Sequence, residues 1–180
     1  RQAGSMPDIL APTTKPPKLK RPSGKLPGFG TLLEVCTPHN STLGEVAKEF
    51  SGVKVIRITR DDDFGCPGCT KRIRELILKY PGISMHGSLP CTVWSVWQQM
   101  CSGRYGTKYK QELERRRGVE RKRLRCFIEL ADLCLSHGGH VTFEWPRNCL
   151  GWTVPELIKF IKRNNMFLAD VDGCAGGMKD

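Results

Sequence analysis

The sequence predicts an α/β domain with an open, mostly parallel, Rossmann-like sheet flanked by helices. Short apolar runs typical of strands alternate with segments of helical periodicity, and proline or glycine stands at most of the boundaries between them. Hydrophobic residues make up 39% of the 180 residues, which is enough for a sizeable core. We therefore expect strands joined by right-handed helical crossovers.

The first 28 residues differ from the rest of the chain in composition. They contain six prolines, six basic residues and one acidic residue, with few large apolar side chains. Such a stretch cannot bury enough apolar surface to offset the entropy lost on ordering. We expect a disordered basic tail over 1–28 and one domain over 29–180, and 4–6 has the composition of a cloning scar.

Each element of the domain is predicted from its local pattern. The strands, recognised as short apolar or alternating runs, are expected at 31–36, at 53–59, in the run that stops before Cys91, at 140–145 and at 166–171. The helices, recognised by apolar residues at helical spacing, are expected at 43–50, at 70–80, at 108–136 and after Thr153. Thr153 and Glu156 have capping-box spacing, as do Thr42 and Glu45.

The net charge of +11 is unevenly distributed. Residues 104–125 carry ten basic and three acidic side chains, so a nearly neutral body bears a basic tail and a basic helix. This footprint is typical of nucleic-acid binders, because phosphate contacts release counterions. The alternatives are a solubilising face with a linker and, less well supported, an anionic membrane surface. The expected phosphate contacts are Arg115, Arg116, Arg117, Arg121, Lys122 and Arg123.

No apolar run approaches the roughly 18 residues that a membrane span needs, and the N-terminus has no signal-peptide core. The nine cysteines are odd in number and lack a framework spacing, which fits reduced thiols better than a secreted disulfide scaffold. We therefore expect an intracellular protein, nuclear or cytoplasmic, with no membrane association.

Two predicted strands end in side chains with catalytic chemistry. An apolar run stops at Pro90 and Cys91, and the next strand ends at Glu144. A thiol at the start of a helix lies near free N–H groups that favour the thiolate. Neighbouring strands of a doubly wound sheet open onto one crevice, so Cys91 and Glu144 should reach the same substrate. The alternative is a buried Cys91 that acts as a small hydrophobe.

The segments LPCTVWS at 89–95 and FEWP at 143–146 resemble motifs of DNA cytosine-5 methyltransferases, which have a class I Rossmann-like methyltransferase fold. The resemblance implies that the Cys91 thiolate adds to carbon 6 of a flipped-out cytosine while Glu144 holds the N3 side of the ring. Carbon 5 would then take the methyl group of S-adenosylmethionine. The resemblance also implies cofactor contacts at Glu34, Asp61 and Pro90.

The same sequence departs from that family in the segment 34–40, which has no glycine where the family has a glycine-rich cofactor loop. The family's later arginine-bearing motif and target-recognition region do not follow. This favours a second interpretation, a truncated or degenerate relative of the kind carried in retroelement polyproteins. Such a chain would be a catalytically silent module for nucleic-acid binding or assembly.

Metal binding is a competing chemistry. Cys66 and Cys69 form a C-x-x-C pair, and Cys36 and His39 form a C-x-x-H pair, each with the spacing of half a tetrahedral zinc site. If the first two strands are adjacent, both pairs lie at one edge of the sheet and would share one ion. The tryptophans near the two motifs, at 94, 97, 145 and 152, would either stack a base or pack in the core.

Overall fold

The computed structural model describes residues 30–50 and 52–171, so the predicted tail at 1–28 lies outside the described residues. Its centre is a sheet of four strands in the order β2-β1-β3-β4, with every pair parallel. The strands are β1 (Gly30–Val35), β2 (Val53–Ile58), β3 (Ser84–Gly87) and β4 (Val141–Phe143). The predicted α/β class with a parallel sheet is confirmed, and the layout is consistent with a Rossmann-like domain.

Four α-helices flank the sheet: α1 (Thr42–Val46), α2 (Pro67–Lys79), α3 (Val96–Ser136) and α4 (Pro155–Arg163). Short 3-10 turns lie between them at Ala47–Glu49, Arg60–Asp62, Thr92–Trp94 and Leu150–Thr153. The Ser41 and Ser95 side chains accept the N–H groups of Gly44 and Gln98 at 3.4 Å. Each serine thereby satisfies a backbone donor that a helix start leaves without a partner, which fixes where α1 and α3 begin.

One face of the sheet packs against α3 through a close approach at Gly87. A Cβ on Gly87 would lie 2.2 Å from the ring of Phe127, so only glycine admits that ring over the end of β3. Phe127 is fully buried together with Leu33, Val35 and Met85. The glycine therefore sets the distance between the main helix and the sheet.

The 41-residue α3 is two helical segments joined at Gly106, whose φ of 76° and ψ of −162° are not helical. The Tyr109 hydroxyl donates to the Gln98 side chain across this break, whereas a straight helix would hold these residues about 16 Å apart. Because Phe127 packs at the last residue of β3, the part of α3 before it extends past the carboxyl edge of the sheet. The basic residues in this part of α3 therefore lie beyond the carboxyl ends of the strands.

Three details of the sequence prediction were wrong. No strand forms at 166–171, since the chain turns at Asn165 (φ 49°) and Met166 then packs on the core without joining β4. Ser41 rather than Thr42 caps α1. The helix expected at 108–136 forms as the second segment of α3, after Gly106. Thr153 does not cap α4, which follows Val154 and has proline in its first turn.

Candidate functional site

The strand order reverses at β1, since β2 lies on one side of it and β3 on the other. Such a reversal opens a crevice at the carboxyl ends of parallel strands. A cavity of about 480 Å³, within the usual size of a ligand site, lies there. It is lined by Cys36, Thr37, Pro38, Thr59, Arg60, Asp63, Phe64, Pro90 and Arg123.

The floor of the crevice combines a neutral thiol with charged side chains. Cys36 has a φ of 63°, a left-handed conformation that favours glycine, and its side chain lines the cavity. Burial raises the pKa of the Cys36 thiol to about 12, against a smaller opposing effect of Arg123. Arg123 donates to the carbonyl of Phe64 at 3.2 Å and to Glu120 at 2.8 Å. Arg123 is thus held as a wall of the crevice.

The loops that carry Cys91 and Glu144 lie side by side. The Ser88 hydroxyl donates to the Glu144 carboxylate at 3.1 Å, and the buried Trp145 indole N–H donates to the carbonyl of Leu89 at 2.7 Å. Cys91 is half-buried beside Pro90, which lines the crevice. The two loops are therefore neighbours at the carboxyl edge, whereas the lining of the crevice includes Pro90 but neither Cys91 nor Glu144.

A second thiol lies close to Cys91. Burial raises the pKa of Cys149 to about 11, and the neighbouring Cys91 thiol adds to that effect. Cys149 follows β4 and is buried among the aromatic side chains of Trp145 and Trp152. The surroundings of Cys91 are therefore apolar on the side of the core.

The three residues that the resemblance assigns to cofactor binding have different settings. Pro90 lines the crevice, whereas the lining includes neither Glu34 nor Asp61. Glu34 is buried and accepts hydrogen bonds from Ser41 and, at 2.9 Å, from Thr37. Asp61 is exposed and lies 2.9 Å from His39. Glu34 thus holds the loop before α1. The carboxylate that lines the crevice after β2 belongs to Asp63 rather than to Asp61.

The four predicted zinc ligands are not gathered at one point. Cys36 lines the crevice, and His39 is exposed and faces Asp61. Cys66 caps α2, its sulfur accepting the N–H of Cys69 at 3.3 Å. Across 30–50 and 52–171, no three histidine, cysteine or acidic side chains form a group that could hold a metal ion. Zinc binding by these residues stays a prediction.

The six basic residues predicted to contact phosphate divide into two sets. Arg117 and Arg121 stack on Trp94, with guanidinium carbons 5.4 Å and 5.6 Å from the ring centre. Arg117 also donates to the carbonyl of Val93 at 3.1 Å. These two arginines, with Arg123, hold α3 on the body of the domain. The more exposed members are Arg115, which pairs with Glu112, and Lys122, while Arg116 is half-buried.

An exposed patch on the first segment of α3 comprises Trp97, Met100 and Tyr105, of which sequence reasoning singled out only Trp97. Trp97 is 68% exposed, whereas the tryptophans at 94, 145 and 152 are all buried. Arg104 lies 5.8 Å from the Tyr105 ring, so the patch borders a cation. The helical spacing of Trp97 and Met100 just before Gly106 is the signal that would have revealed it.

Comparison with known proteins adds no assignment. No family model matches the chain, and no curated protein or solved structure matches it. Within the part of the chain that the structure describes, no helix is sufficiently long and apolar to pass through a bilayer.

Proposed function

We propose that this domain handles nucleic acid as an S-adenosylmethionine-dependent cytosine-5 methyltransferase, with Cys91 as nucleophile and Glu144 as the contact to the base. The observation that supports this most directly is the pairing of β3 with β4, which puts Gly87 opposite Phe143. The next residues are then Ser88 and Glu144, joined by a hydrogen bond. Cys91 follows Ser88 by three residues and Pro90 of the same loop lines the crevice, so the loops of the nucleophile and the carboxylate are neighbours.

The residues that line the crevice fit an adenosine cofactor in chemical type. Phe64 and Pro90 offer apolar surface for an adenine ring, and Asp63 offers a carboxylate for ribose hydroxyls. When bound, S-adenosylmethionine supplies the methyl group. The crevice adjoins Cys91 through Pro90, so a donor held there would lie next to the base.

The chain's own chemistry is centred on Cys91. Its thiolate forms a bond to carbon 6 of cytosine, and the electrons of the 5,6 double bond move to carbon 5, which becomes nucleophilic. Once carbon 5 carries the methyl group, a water molecule takes its proton, and the electrons of that carbon–hydrogen bond re-form the 5,6 double bond as the sulfur–carbon bond breaks and Cys91 leaves as a thiolate. Glu144, held by Ser88, contacts the N3 side of the ring and keeps carbon 6 within reach of the sulfur.

Helix α3 gives the nucleic acid a surface beside this end of the crevice. Its first segment follows directly from the loop of Cys91 and exposes Trp97 and Tyr105, side chains on which unpaired bases stack. Its exposed cations, including Lys108 and Lys122, suit phosphates. A base must leave its stack to meet Cys91, and an aromatic platform at the entrance stabilises the strand from which it leaves.

Cys36 favours a second candidate, a nucleic-acid-binding module without catalysis. Close approach of a cofactor to the loop after β1 is easiest at glycine, and here the left-handed position carries a thiol that lines the crevice. Calorimetric titration with S-adenosylmethionine separates the two candidates. Saturable binding that Asp63→Ala weakens supports the methyltransferase, and no heat at millimolar cofactor leaves only the binding module.

Methyl transfer itself is tested with S-adenosylmethionine labelled in its methyl group and cytosine-containing oligonucleotides, single-stranded and duplex. We expect label in the nucleic acid with the unaltered chain, none with Cys91→Ser and much less with Glu144→Gln. Cys101→Ser, a half-buried cysteine of α3, is the matched control and should keep full activity. Equal incorporation by Cys91→Ser would refute the assignment of the nucleophile.

A further inference from the structure

A pair of thiols at the start of α2 has no part in the proposed methyl transfer. Cys66 caps the helix, Pro67 and Gly68 form its first turn, and Cys69 lies three residues beyond Cys66. We propose that Cys66 and Cys69 are a thiol–disulfide exchange site that reacts with a small anionic disulfide such as glutathione disulfide. This inference stands on different residues from the methyltransferase and does not depend on it.

The two cysteines are placed for one to attack the disulfide and for the other to resolve the mixed disulfide. Cys66 is partly accessible, whereas Cys69 is buried. The Cys66 sulfur lies 3.3 Å from the backbone nitrogen of Cys69 and accepts its N–H. Residues three apart at a helix start have Cβ atoms about 5–6 Å apart, close enough for a disulfide after a small adjustment. A C-x-x-C pair in this position has the arrangement of a reversible dithiol.

The surface beside the pair carries the charge that an anionic disulfide needs. Lys71, Arg72 and Arg74 follow within the first turns of α2 and are exposed. Arg72 pairs with Asp62 and Lys71 lies 4.0 Å from Glu75, whereas Arg74 has no ion pair among the described residues. Arg72 lies near enough to the Cys69 thiol to oppose the rise that burial produces in its pKa. Arg74 is therefore the cation placed to meet a carboxylate of glutathione, and the direct path from solvent leads to Cys66 rather than to Cys69.

The exchange takes two steps. The Cys66 thiolate attacks one sulfur of glutathione disulfide, the bond between the two glutathione sulfurs breaks, and one glutathione leaves as a thiolate. The Cys69 thiolate then attacks the Cys66 sulfur and displaces the second glutathione. Two cysteine thiols are oxidised to one disulfide, one glutathione disulfide is reduced to two glutathiones, and the two protons pass to the departing thiolates.

Cys36 is the alternative partner within the same region, because its thiol lies near enough to Cys69 for their charges to interact. It follows β1 and lines the crevice, on a different element from Cys66 and Cys69. A Cys36–Cys69 disulfide would leave Cys66 reduced. The identity of the oxidised pair therefore distinguishes the proposed site from adventitious oxidation.

The full chain, freed of metal with a chelator, is equilibrated with glutathione and glutathione disulfide at graded ratios, quenched in acid and mapped by mass spectrometry. We expect Cys66 and Cys69 to be lost together as one internal disulfide. Cys69→Ser should accumulate a mixed disulfide of glutathione at Cys66, while Cys66→Ser should show no adduct at Cys69. Serine keeps a helix-capping side chain at 66, so that variant should fold. Cys36→Ser is the matched control and should still form the 66–69 disulfide.

Three results would overturn the proposal. The first is a disulfide between any other pair while Cys66 stays reduced. The second is protection of both cysteines under conditions that attach glutathione to Cys101 on α3. The third is zinc that co-purifies with the chain and is lost in Cys66→Ser, which would make these residues metal ligands. Failure of methyl transfer with a normal 66–69 disulfide would leave this site standing.

Discussion

Among single residues, the exposed Trp97 calls most clearly for a functional explanation. It is 68% exposed on the first segment of α3, beside the loop of Cys91. If it stacks a base, Trp97→Ala should lower affinity for single-stranded oligonucleotides by about 1–3 kcal/mol, roughly five- to 150-fold. Fluorescence anisotropy measures this. Tyr80→Ala, an exposed aromatic at the end of α2, is the control, and equal losses in both variants would contradict the stacking role.

Arg117 illustrates a basic residue that stabilises the fold. Its side chain is 14% exposed, stacks on Trp94 and donates to the carbonyl of Val93 at 3.1 Å. Arg117→Ala should reduce the free energy of unfolding by about 1–3 kcal/mol, because a carbonyl loses its partner and a ring its cation. The exposed Arg115→Ala should lose less than about 1 kcal/mol. Urea unfolding compares the two, and similar stabilities would show that Arg117 is a surface charge.

Arg115 and Arg117 lie in one run of three arginines, so the sequence alone does not show which of them packs against the fold. Which of them faces the body depends on where Val93 and Trp94 meet the helix, a contact across more than 20 residues. Glu34 shows the same limit, since its three-residue spacing from Thr37 gives no sign of the shared hydrogen bond with Ser41. The sequence shows which residue types are present, but it does not show which groups they contact.

At the scale of elements, the exposed lysines of α3 test whether the helix contacts phosphate. Reversing Lys108, Lys110 and Lys122 to glutamate avoids the arginines that pack on Trp94. If all three contact a single strand, the slope of log affinity against log salt should fall by about two units, since each contact contributes roughly 0.7. The salt dependence of binding, measured by anisotropy, provides the test.

The matched control reverses the exposed lysines at 54, 79 and 162, which changes the net charge equally on other elements. It should leave most of the salt slope in place. If the slope falls equally in both triple variants, α3 contributes no more to phosphate binding than other basic parts of the surface.

The strands were largely predictable because each is a short apolar run with a turn signal at its end. β1 and β2 lie within a residue of the predicted bounds. The false strand at 166–171 shows the weakness of this argument, since an apolar pattern also fits a segment that packs on the core without pairing. The helix expected at 108–136 matches the second segment of α3, whereas the bounds of the first segment, before Gly106, were not predicted.

At the scale of the whole molecule, buried thiols make stability depend on alkaline pH. Burial raises the pKa of Cys36 to about 12 and those of Cys134 and Cys149 to about 11, from about 9 in the unfolded chain. A raised pKa in the folded state stabilises the fold below pH 9, and this contribution is lost as the pH rises towards 11.

Cys134 gives the cleanest test, since it is fully buried and its thiol donates to the carbonyl of Ile83 at 2.9 Å. Between pH 8 and pH 10.5, this cysteine should account for about 1–2 kcal/mol of lost stability. Cys134→Ser keeps a hydrogen-bond donor that does not ionise in this range, so its unfolding free energy should fall less steeply. Parallel pH profiles for the two chains would contradict the assignment.

The fold class was predictable for the whole domain because alternating strands and helices leave few ways to bury both faces of a sheet. The position of the crevice was not, because it depends on β3 pairing with β1 rather than with β2. A second long-range pairing, of β3 with β4, sets Ser88 beside Glu144, 56 residues away. Which strands lie next to each other is decided by packing across the sheet, and no local sequence pattern encodes it.

The methyltransferase proposal is tested most directly by covalent capture at Cys91. An oligonucleotide with 5-fluorocytosine at its target site, incubated with the chain and S-adenosylmethionine, cannot lose a proton from carbon 5, so the sulfur–carbon bond should persist. We expect an adduct that survives denaturation, maps to Cys91 by mass spectrometry and is absent in Cys91→Ser, while Cys101→Ser still forms it. Failure to trap any adduct, with Cys91 alkylated only after unfolding, would show that Cys91 is a core residue and not a nucleophile.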